Sequence, residues 1–600
     1  MFAYLAYAFF CVRKIMKKLL GYFKNYKLQS VLGPFFKLLE ALFELFVPIV
    51  VGLIVDRGLG APVNGGYPNA NTGYIVKMCL LLGGFGVAGL AFSVTAQYFA
   101  AKAATGVAAD MRRDLFKKIQ SLSYKDIDKL GTATMLTRMT SDVDRFQSGV
   151  NLALRLFLRS PFIVFGAMIT AYFVDSASIG IFAVAIAALA IVVFAVMLIC
   201  MPLYKKTQDK LDKVLLSTRE NLTGARVVRA FCLEDEEKEL FDKRNGELNK
   251  GRKFVGALAA ITNPLTYVLV NLAIIALIYS GAIRVDAGNL SQGSVLALYN
   301  LMSQILIELI KLANLIVTVT KAAACGGRIA NVLEMQPSLI VEENAEKTES
   351  VETNDDFVRF ERVTAQYNAD AEPALEDFSL SVKKGETVGV IGGTGSGKTT
   401  LVNLIPHFYD VKEGDVFVNG KNVRAKEIQG YLRERIGVVP QKAALFKGTV
   451  RENLLWGRAG ATDEELWSAL KIARADEFLA EKQGLDTIVE QGGKNFSGGQ
   501  KQRLTVARAL VRNPEILILD DSSSALDYAT DAELRKGIRQ LHTTTFIVSQ
   551  RASSVRDADK IVVLDDGKAV GVGTHETLMQ SCAVYREIYF SQYEEKEGAV

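Results

Sequence analysis

Six stretches, approximately residues 31–55, 74–100, 148–174, 177–201, 256–283 and 292–320, are predominantly apolar over about the length that crosses a bilayer. An α-helix needs ~20 residues for that. In hydrocarbon every backbone N–H and C=O must find its partner inside the protein, so only helices and closed β-barrels span. None of the six stretches alternates with a period of two, which leaves helices, and several exceed the minimum, so the helices are expected to project beyond the membrane. The rest of the chain differs in kind. Half of the 600 residues are hydrophobic and 22% are charged, but the two sets are segregated. Apolar runs fill the first half, and the second half has the patterning of a soluble α/β domain. This length exceeds one core. The net charge of +5 is small and spread out, which gives no nucleic-acid footprint. The six cysteines lie far apart without metal or disulfide spacing, and read as reduced and structural.

The loops set an orientation. Residues 1–30 are apolar first and then basic, with Arg13, Lys14, Lys17, Lys18, Lys24 and Lys27. A secretory signal has the opposite order. The segment reads as amphipathic and lying on the inner membrane face, with Met16 as an alternative start that makes 1–15 dispensable. The long connections 101–147 and 202–255 are crowded with Lys and Arg, whereas 56–73 and 175–176 are short or nearly uncharged. The positive-inside rule then places both termini and both long connections in the cytoplasm of a multi-pass cell-membrane protein. Helical periodicity in 107–130 and 207–245 predicts that the spanning helices continue into the cytoplasm and turn back. Short crosswise helices are expected near Tyr124–Asp128 and Ser217–Thr223, each followed by a glycine, Gly131 or Gly224.

Ionisable residues inside a span are costly and point to function. Lys37, Glu40 and Glu44 share one helical face. Lys37 and Glu40 read as an interfacial pair. Glu44 lies deeper, and either faces an internal cavity and a cationic or polar substrate, or pairs with another helix. Asn271, with Asn263, Pro264 and Tyr267, and Tyr299 and Gln304, with Asn300, are candidates for lining the same cavity, and Pro264 should loosen its helix. Polar residues also join membrane helices to one another. The membrane domain is expected over 31–335, an acidic linker over 336–356 and the second domain over 357–595.

In that second domain the β-branched run Val388–Ile391 ends in Gly392, Gly393, Thr394, Gly395, Ser396 and Gly397, and Lys398, Thr399 and Thr400 open a helix. This is the pattern G-x-x-x-x-G-K-[ST]. Its glycines let backbone N–H groups converge on phosphate at a helix N-terminus. Lys398 can reach the β- and γ-phosphates of ATP and the Thr399 hydroxyl can ligate Mg²⁺. Tyr367, at a strand end, is a candidate for stacking on adenine. Gln441 follows a short strand and could ligate Mg²⁺ or hold the attacking water. Ser497, Gly498, Gly499 and Gln500 form a second phosphate-binding turn at a helix N-terminus. One nucleotide does not need two such loops from one chain, so each is expected to serve a different nucleotide across a dimer. The strand Glu515–Leu519 ends in Asp520, placed to hold Mg²⁺, and Asp521, placed as base for the attacking water.

Tyr367, Gly392–Thr399, Gln441, Ser497–Gln500, Asp520–Asp521, Ser524–Asp527 and Gly573-Thr574-His575 stand in the order and spacing of ABC ATPase domains. With six spans and two long cytoplasmic hairpins ahead of it, the chain resembles an ABC exporter half-transporter of the multidrug-resistance type over roughly residues 20–595. The resemblance implies a P-loop ATPase domain with a helical subdomain, ATP and Mg²⁺ as cofactors, and the motif names A-loop, Walker A, Q-loop, signature, Walker B and D-loop. It also implies ATP held between one chain's Walker loop and the other's signature turn.

Two positions depart from that pattern. The family usually has Glu where this chain has Asp521, and His on the switch strand where this chain has Gln550. Asp is one methylene shorter, and a misplacement of ~1 Å can cost ~10²-fold in rate. Gln550 keeps a hydrogen-bond donor but has no imidazole. The signature turn keeps Ser-Gly-Gly-Gln, with Phe496 where Leu is common. The expectation is a slow Walker site, an intact signature turn, and a non-identical half-transporter as partner. Membrane lipids and an amphipathic small molecule are the other expected contacts. A lipid or peptide exporter and an ATP-gated sensor or channel subunit are the rival readings.

Overall fold

The computed structural model describes residues 19–59, 70–342, 356–367 and 371–593. Residues 1–18 of the N-terminal segment and 343–355 of the acidic linker lie outside these. The described chain divides into two compact units, 19–120 with 132–335, and 121–131 with 336–593.

In the first unit six helical stretches of 40 to 53 residues are long and apolar enough to cross a membrane: Leu20–Leu59, Thr72–Ser121, Thr132–Val174, Ser176–Thr223, Glu234–Asp286 and Gln292–Glu334. At 1.5 Å per residue they reach about 60–80 Å, twice the ~30 Å hydrocarbon core. Their charged ends therefore need not meet lipid. The helices used below are α1 (Lys27–Leu53), α2 (Thr72–Ser121), α3 (Tyr124–Leu130), α4 (Val143–Leu156), α5 (Arg159–Val174), α6 (Ile179–Thr223), α7 (Ala225–Ala230), α8 (Glu234–Ala260), α9 (Thr262–Asp286) and α10 (Gln292–Glu334). α10 is the hub, packing on α1, α4, α5, α6 and α9. Where helices cross, small residues let the backbones approach. A Cβ on Gly52 would lie 2.7 Å from the Gly293 carbonyl, and one on Gly149 would lie 2.1 Å from the Ala322 methyl. Such packing holds membrane helices together where apolar burial gives no preference for protein over lipid. Pro264 cannot donate to the Ala260 carbonyl, and α8 gives way to α9 at Ile261.

The turns in the two long connections differ. α3 starts in a capping box, in which the Ser123 hydroxyl accepts from the Asp126 N–H and the Asp126 carboxylate accepts from the Ser123 N–H, and it stops at Gly131 with φ 74°. The second turn corrects the sequence expectation: Ser217–Thr223 is the end of α6, and the short helix is α7, after Gly224. Nothing before Ser217 ends α6, so the glycine itself becomes the break.

The second unit is an α/β domain. Its central sheet places Ile436–Val439, Ile516–Asp520, Thr544–Val548, Thr387–Gly392 and Lys560–Asp565 side by side in that order, all parallel, with Lys568–Gly573 antiparallel at the edge. The strands are buried apolar runs, as parallel strands covered on both faces must be. A smaller antiparallel sheet centres on Asp356–Ala365, between Leu375–Lys383 and Glu413–Val418. In the parallel register Val548 faces both Asp520 and Val390. The carboxyl ends of three neighbouring strands therefore share one edge, where ligands of open α/β sheets bind. A helical membrane domain followed by an α/β nucleotide-binding domain is the fold class expected from the sequence.

Candidate functional site

The strand Thr387–Gly392 delivers the glycine loop to that edge. Gly397 has φ 94°, and a Cβ there would lie 2.2 Å from the Ala374 carbonyl, so glycine is required on both counts. The helix Lys398–Leu404 follows directly. Lys398 Nζ lies over the loop and donates to the carbonyls of Gly392 at 3.0 Å and Gly393 at 2.5 Å, with Ser396 Oγ at 3.4 Å. Burial lowers the pKa of Lys398, against the pull of Asp521 and Asp520.

The strand Ile516–Asp520, one beyond the adjacent strand Thr544–Val548, supplies the carboxylates. Thr399 Oγ1 donates to Asp520 Oδ1 at 3.0 Å. Burial raises the Asp520 pKa, and Asp521 adds to this, while the Thr399 hydrogen bond and Lys398 oppose it. Asp521 has φ 46°, a conformation that Asp tolerates better than most residues. Its N–H donates to the Val548 carbonyl at 2.9 Å, and Gln441 Nε2 donates to its Oδ2 at 3.2 Å. The Tyr367 and Thr400 hydroxyls are 2.9 Å apart, and burial pushes the Tyr367 phenol up. Lys398, Thr399, Thr400, Tyr367, Gln441, Asp520 and Asp521 are thus brought together. The oxygens of Thr399, Asp520 and Gln441 suit a hard cation such as Mg²⁺. Among the described residues there is no cluster of three His, Cys, Asp or Glu.

Gln550 lies two residues past the end of the strand Thr544–Val548, with an exposed side chain. Its carbonyl accepts from Gln592 Nε2 at 2.7 Å, and the Ala552 N–H donates to Gln592 Oε1 at 2.8 Å. The Ser497–Gln500 turn stands apart. Ser497 and Gln500 form a capping box on the helix Gly498–Val511, and a Cβ on Gly499 would lie 2.9 Å from the Ala525 carbonyl. Phe496 is buried edge-on to Phe478, with Lys482 Nζ 4.4 Å from its ring centre. Among the described residues no hydrogen bond joins this turn to the loop 392–400.

The short helix near Tyr124–Asp128 was expected from the sequence, but its partners were not visible there. α3 belongs to the second unit: Tyr124 lies 4.6 Å from Phe408 between ring centres, and Tyr409 donates to Asp128 Oδ2 at 2.7 Å. The Ser338 N–H donates to Asp126 at 2.9 Å. The Tyr409 ring stands edge-on to Tyr367 at 5.2 Å.

In the membrane unit Glu44 is paired with Arg159 at 2.6 Å. Arg159 also bonds Glu308 at 2.7 Å, and Glu308 accepts from Lys311 at 2.7 Å and Ser160 at 2.9 Å. Gln304 Nε2 reaches the Glu44 carbonyl at 3.3 Å. Asn271 donates to Tyr267 of its own helix, and neither it nor the Tyr299 side chain is hydrogen-bonded to this cluster. Arg159, Glu308 and Lys311 sit inside the apolar stretches, so the rule that singled out Glu44 could have found them.

Comparison with known proteins agrees with this architecture. Residues 30–309 match the family model for the ABC transporter transmembrane region, and residues 375–524 match that for the ABC transporter. An uncharacterized ABC transporter ATP-binding protein of Mycobacterium tuberculosis is 35% identical over 93% of this chain and 94% of its own length. An ATP-dependent lipid A-core flippase of Syntrophus aciditrophicus is 30% identical over 82% of this chain and 81% of its own. The structure of a bacterial Atm1-family ABC exporter with ATP bound shares the fold, with a TM-score of 0.77 and 22% identity over 96% of this chain and 99% of that one. With a membrane region and an ATPase region in one polypeptide, the chain belongs to the ABC transporter family as a half-transporter.

Proposed function

We propose that this chain is one subunit of an ATP-driven exporter of amphipathic small molecules, that its partner is a non-identical half-transporter, and that its own Walker site binds ATP but turns it over slowly. The observation that carries the reading is Asp521. A short carboxylate stands in the base position, tied to Gln441 at 3.2 Å, and the neighbouring strand leads, two residues past its end, to Gln550 rather than His. When bound, Mg²⁺ would offset phosphate charge, held by Thr399, Asp520 and Gln441. Lys398 exchanges the loop carbonyls for phosphate oxygens, and Tyr367 offers its ring to the base. Asp521 orients water less closely than a longer side chain would. The Ser497–Gln500 turn serves the partner's nucleotide, so the competent site of the pair uses this chain's signature turn. Both termini lie in the cytoplasm. The relative named as a lipid flippase favours a lipid-like cargo within the amphipathic class.

The test is ATP turnover of the chain purified alone, beside the double variant Asp521→Glu with Gln550→His. Slow wild-type turnover and a gain of at least tenfold in the double variant are expected. Brisk wild-type turnover that the changes leave unaltered would sink the impaired-site reading and make a homodimer the model. If both are inactive, the same pair of measurements is made on the chain co-purified with its partner. There the change should add a second active site.

A further inference from the structure

We infer that the chain of charges Glu44–Arg159–Glu308–Lys311 is a recognition site for a zwitterionic amphiphile, whose ammonium group meets Glu44 and whose anionic group meets Lys311. This deepens the export reading by naming the cargo class, and rests on it.

Glu44, Arg159 and Glu308 lie 15, 15 and 16 residues from Leu59, Val174 and Gln292, the helix ends at the short connections. That puts all three about 22–24 Å along their helices, at one depth well inside a ~30 Å hydrocarbon core. The signs alternate along the cluster, and its middle is closed. The Arg159 and Glu308 side chains are only 7% and 3% exposed, and Glu308 accepts from Arg159 and Lys311 on one oxygen and from Ser160 on the other. Its two ends are open. The Glu44 and Lys311 side chains are each 41% exposed, and each has one ionic partner.

At this depth half-exposed Glu44 cannot face hydrocarbon, and it faces a water-filled cavity or a polar ligand. Lys311, three residues past Glu308 and about 28 Å along its helix, stands at the far edge of the core. At the acidic end, Gln304 Oε1 is buried without a hydrogen-bond partner while its amide nitrogen reaches the Glu44 carbonyl. That leaves a buried, unpartnered acceptor on a side chain that touches the Glu44 main chain, suited to an N–H donor. At the other end an ammonium group with three donors uses one. Gln304, Glu308 and Lys311 fall at i, i+4 and i+7 on α10, one face of the helix. Two positive and two negative charges give no net charge. A singly charged ligand is attracted at one end and repelled at the other, whereas a dipolar ligand satisfies both.

The experiment is equilibrium binding to the full-length protein in lipid nanodiscs without ATP. The probes are lysophosphatidylethanolamine, lysophosphatidylglycerol and a long-chain alkylammonium of equal tail length. The zwitterion should bind at least tenfold tighter than either singly charged probe. Glu44→Gln should weaken the zwitterion ~10-fold or more, the loss expected for a hydrogen bond between charged groups, and leave the anionic probe unchanged. Lys311→Met should do the reverse, sparing the alkylammonium. Equal affinity for the three probes, or variants that weaken all three alike, would overturn the assignment. The ranking by the unmodified protein decides this even if a variant fails to fold. Tail-free glycerophosphoethanolamine binding as tightly as the lysolipid would overturn the amphiphile assignment in favour of a soluble zwitterion. An intact ranking without ATP-driven translocation would refute export and leave the binding site standing.

Discussion

Tyr409 joins the nucleotide end of the ATPase unit to α3. Its hydroxyl donates to Asp128 at 2.7 Å, and its ring stands 5.2 Å from Tyr367 and 6.2 Å from Tyr124. Tyr409→Phe deletes the hydroxyl and keeps the ring. A hydrogen bond to a charged group contributes about 1.5–3 kcal/mol. Asp128 is exposed, so water replaces part of that and about 1 kcal/mol is expected to be lost, roughly fivefold. If α3 conveys the state of the nucleotide site, the loss falls on coupling. Substrate stimulation of ATP turnover should drop about fivefold, while turnover without substrate changes far less because the ring still braces Tyr367. Tyr409→Ala also removes two ring contacts of about 0.5–1.5 kcal/mol each, a total of about 2–4 kcal/mol, enough to abolish stimulation. Burial and the Asp128 carboxylate hold the phenol above its ordinary pKa, so this contribution should not change with pH from 6 to 9. The assay is ATP hydrolysis in nanodiscs with and without substrate, run as a cycle with Asp128→Asn. The double variant should be no worse than the worse single one. Fully additive losses would refute a direct Tyr409–Asp128 path.

Burial lowers the Lys398 pKa, and phosphate groups beside it would raise it again. ATP binding should therefore take up protons at pH values above the lowered pKa, and affinity should fall as pH rises through it. Calorimetry in buffers of different ionisation heat reads this, and proton release would contradict it. Gly397→Ala puts a methyl 2.2 Å from a carbonyl at φ 94°, a strain of about 1–3 kcal/mol before any shift of the loop. The melting temperature and ATP binding should both drop. Gly393→Ala, with open space around its Cβ, should leave the melting temperature in place. Gln592→Ala removes two hydrogen bonds of about 1 kcal/mol each from the segment carrying Gln550. ATP turnover should fall with little change in ATP affinity. Gln592→Glu keeps only the bond from the Ala552 N–H and should be intermediate, and equal turnover in all three forms would count against a positioning role.

The fold was largely legible because its two determinants are local. Apolar length sets the spans, and a β-branched run into Gly392–Gly397 sets the strand, the turn and the helix. The turn in the second long connection was misplaced because helical periodicity continues through Thr223, and only Gly224, which serves as end of one helix and start of the next, marks the corner. The contacts within each unit divide by how many of their partners carry a local signal. Thr399 and Asp520 are 121 residues apart, yet each lies in its own recognisable motif. Tyr409 and Asp128 are 281 apart, and only Asp128 does, in the short helix expected near Tyr124–Asp128. Glu44 stood out as a carboxylate in a span, but its partner Arg159, 115 residues away, escaped notice inside a run read as apolar.

Under the proposal that this Walker site is slow, the position of Asp521 bears on how its rate could be raised. Its backbone is fixed twice, by φ 46° and by the bond from its N–H to Val548, so a longer side chain cannot be accommodated by sliding the main chain. The added methylene of Asp521→Glu must carry the carboxylate past the point where Gln441 now meets it at 3.2 Å. Either the Gln441 bond breaks or Gln441 moves with it. The single change therefore trades a gain in reach against the loss of an orienting partner, and should recover only part of the rate. Gln550→His alone leaves the short carboxylate in place and should recover less. A gain in the double variant larger than the product of the two single gains is what this geometry requires. Two independent and simply multiplying gains would mean that Gln441 does not restrain Asp521 during turnover.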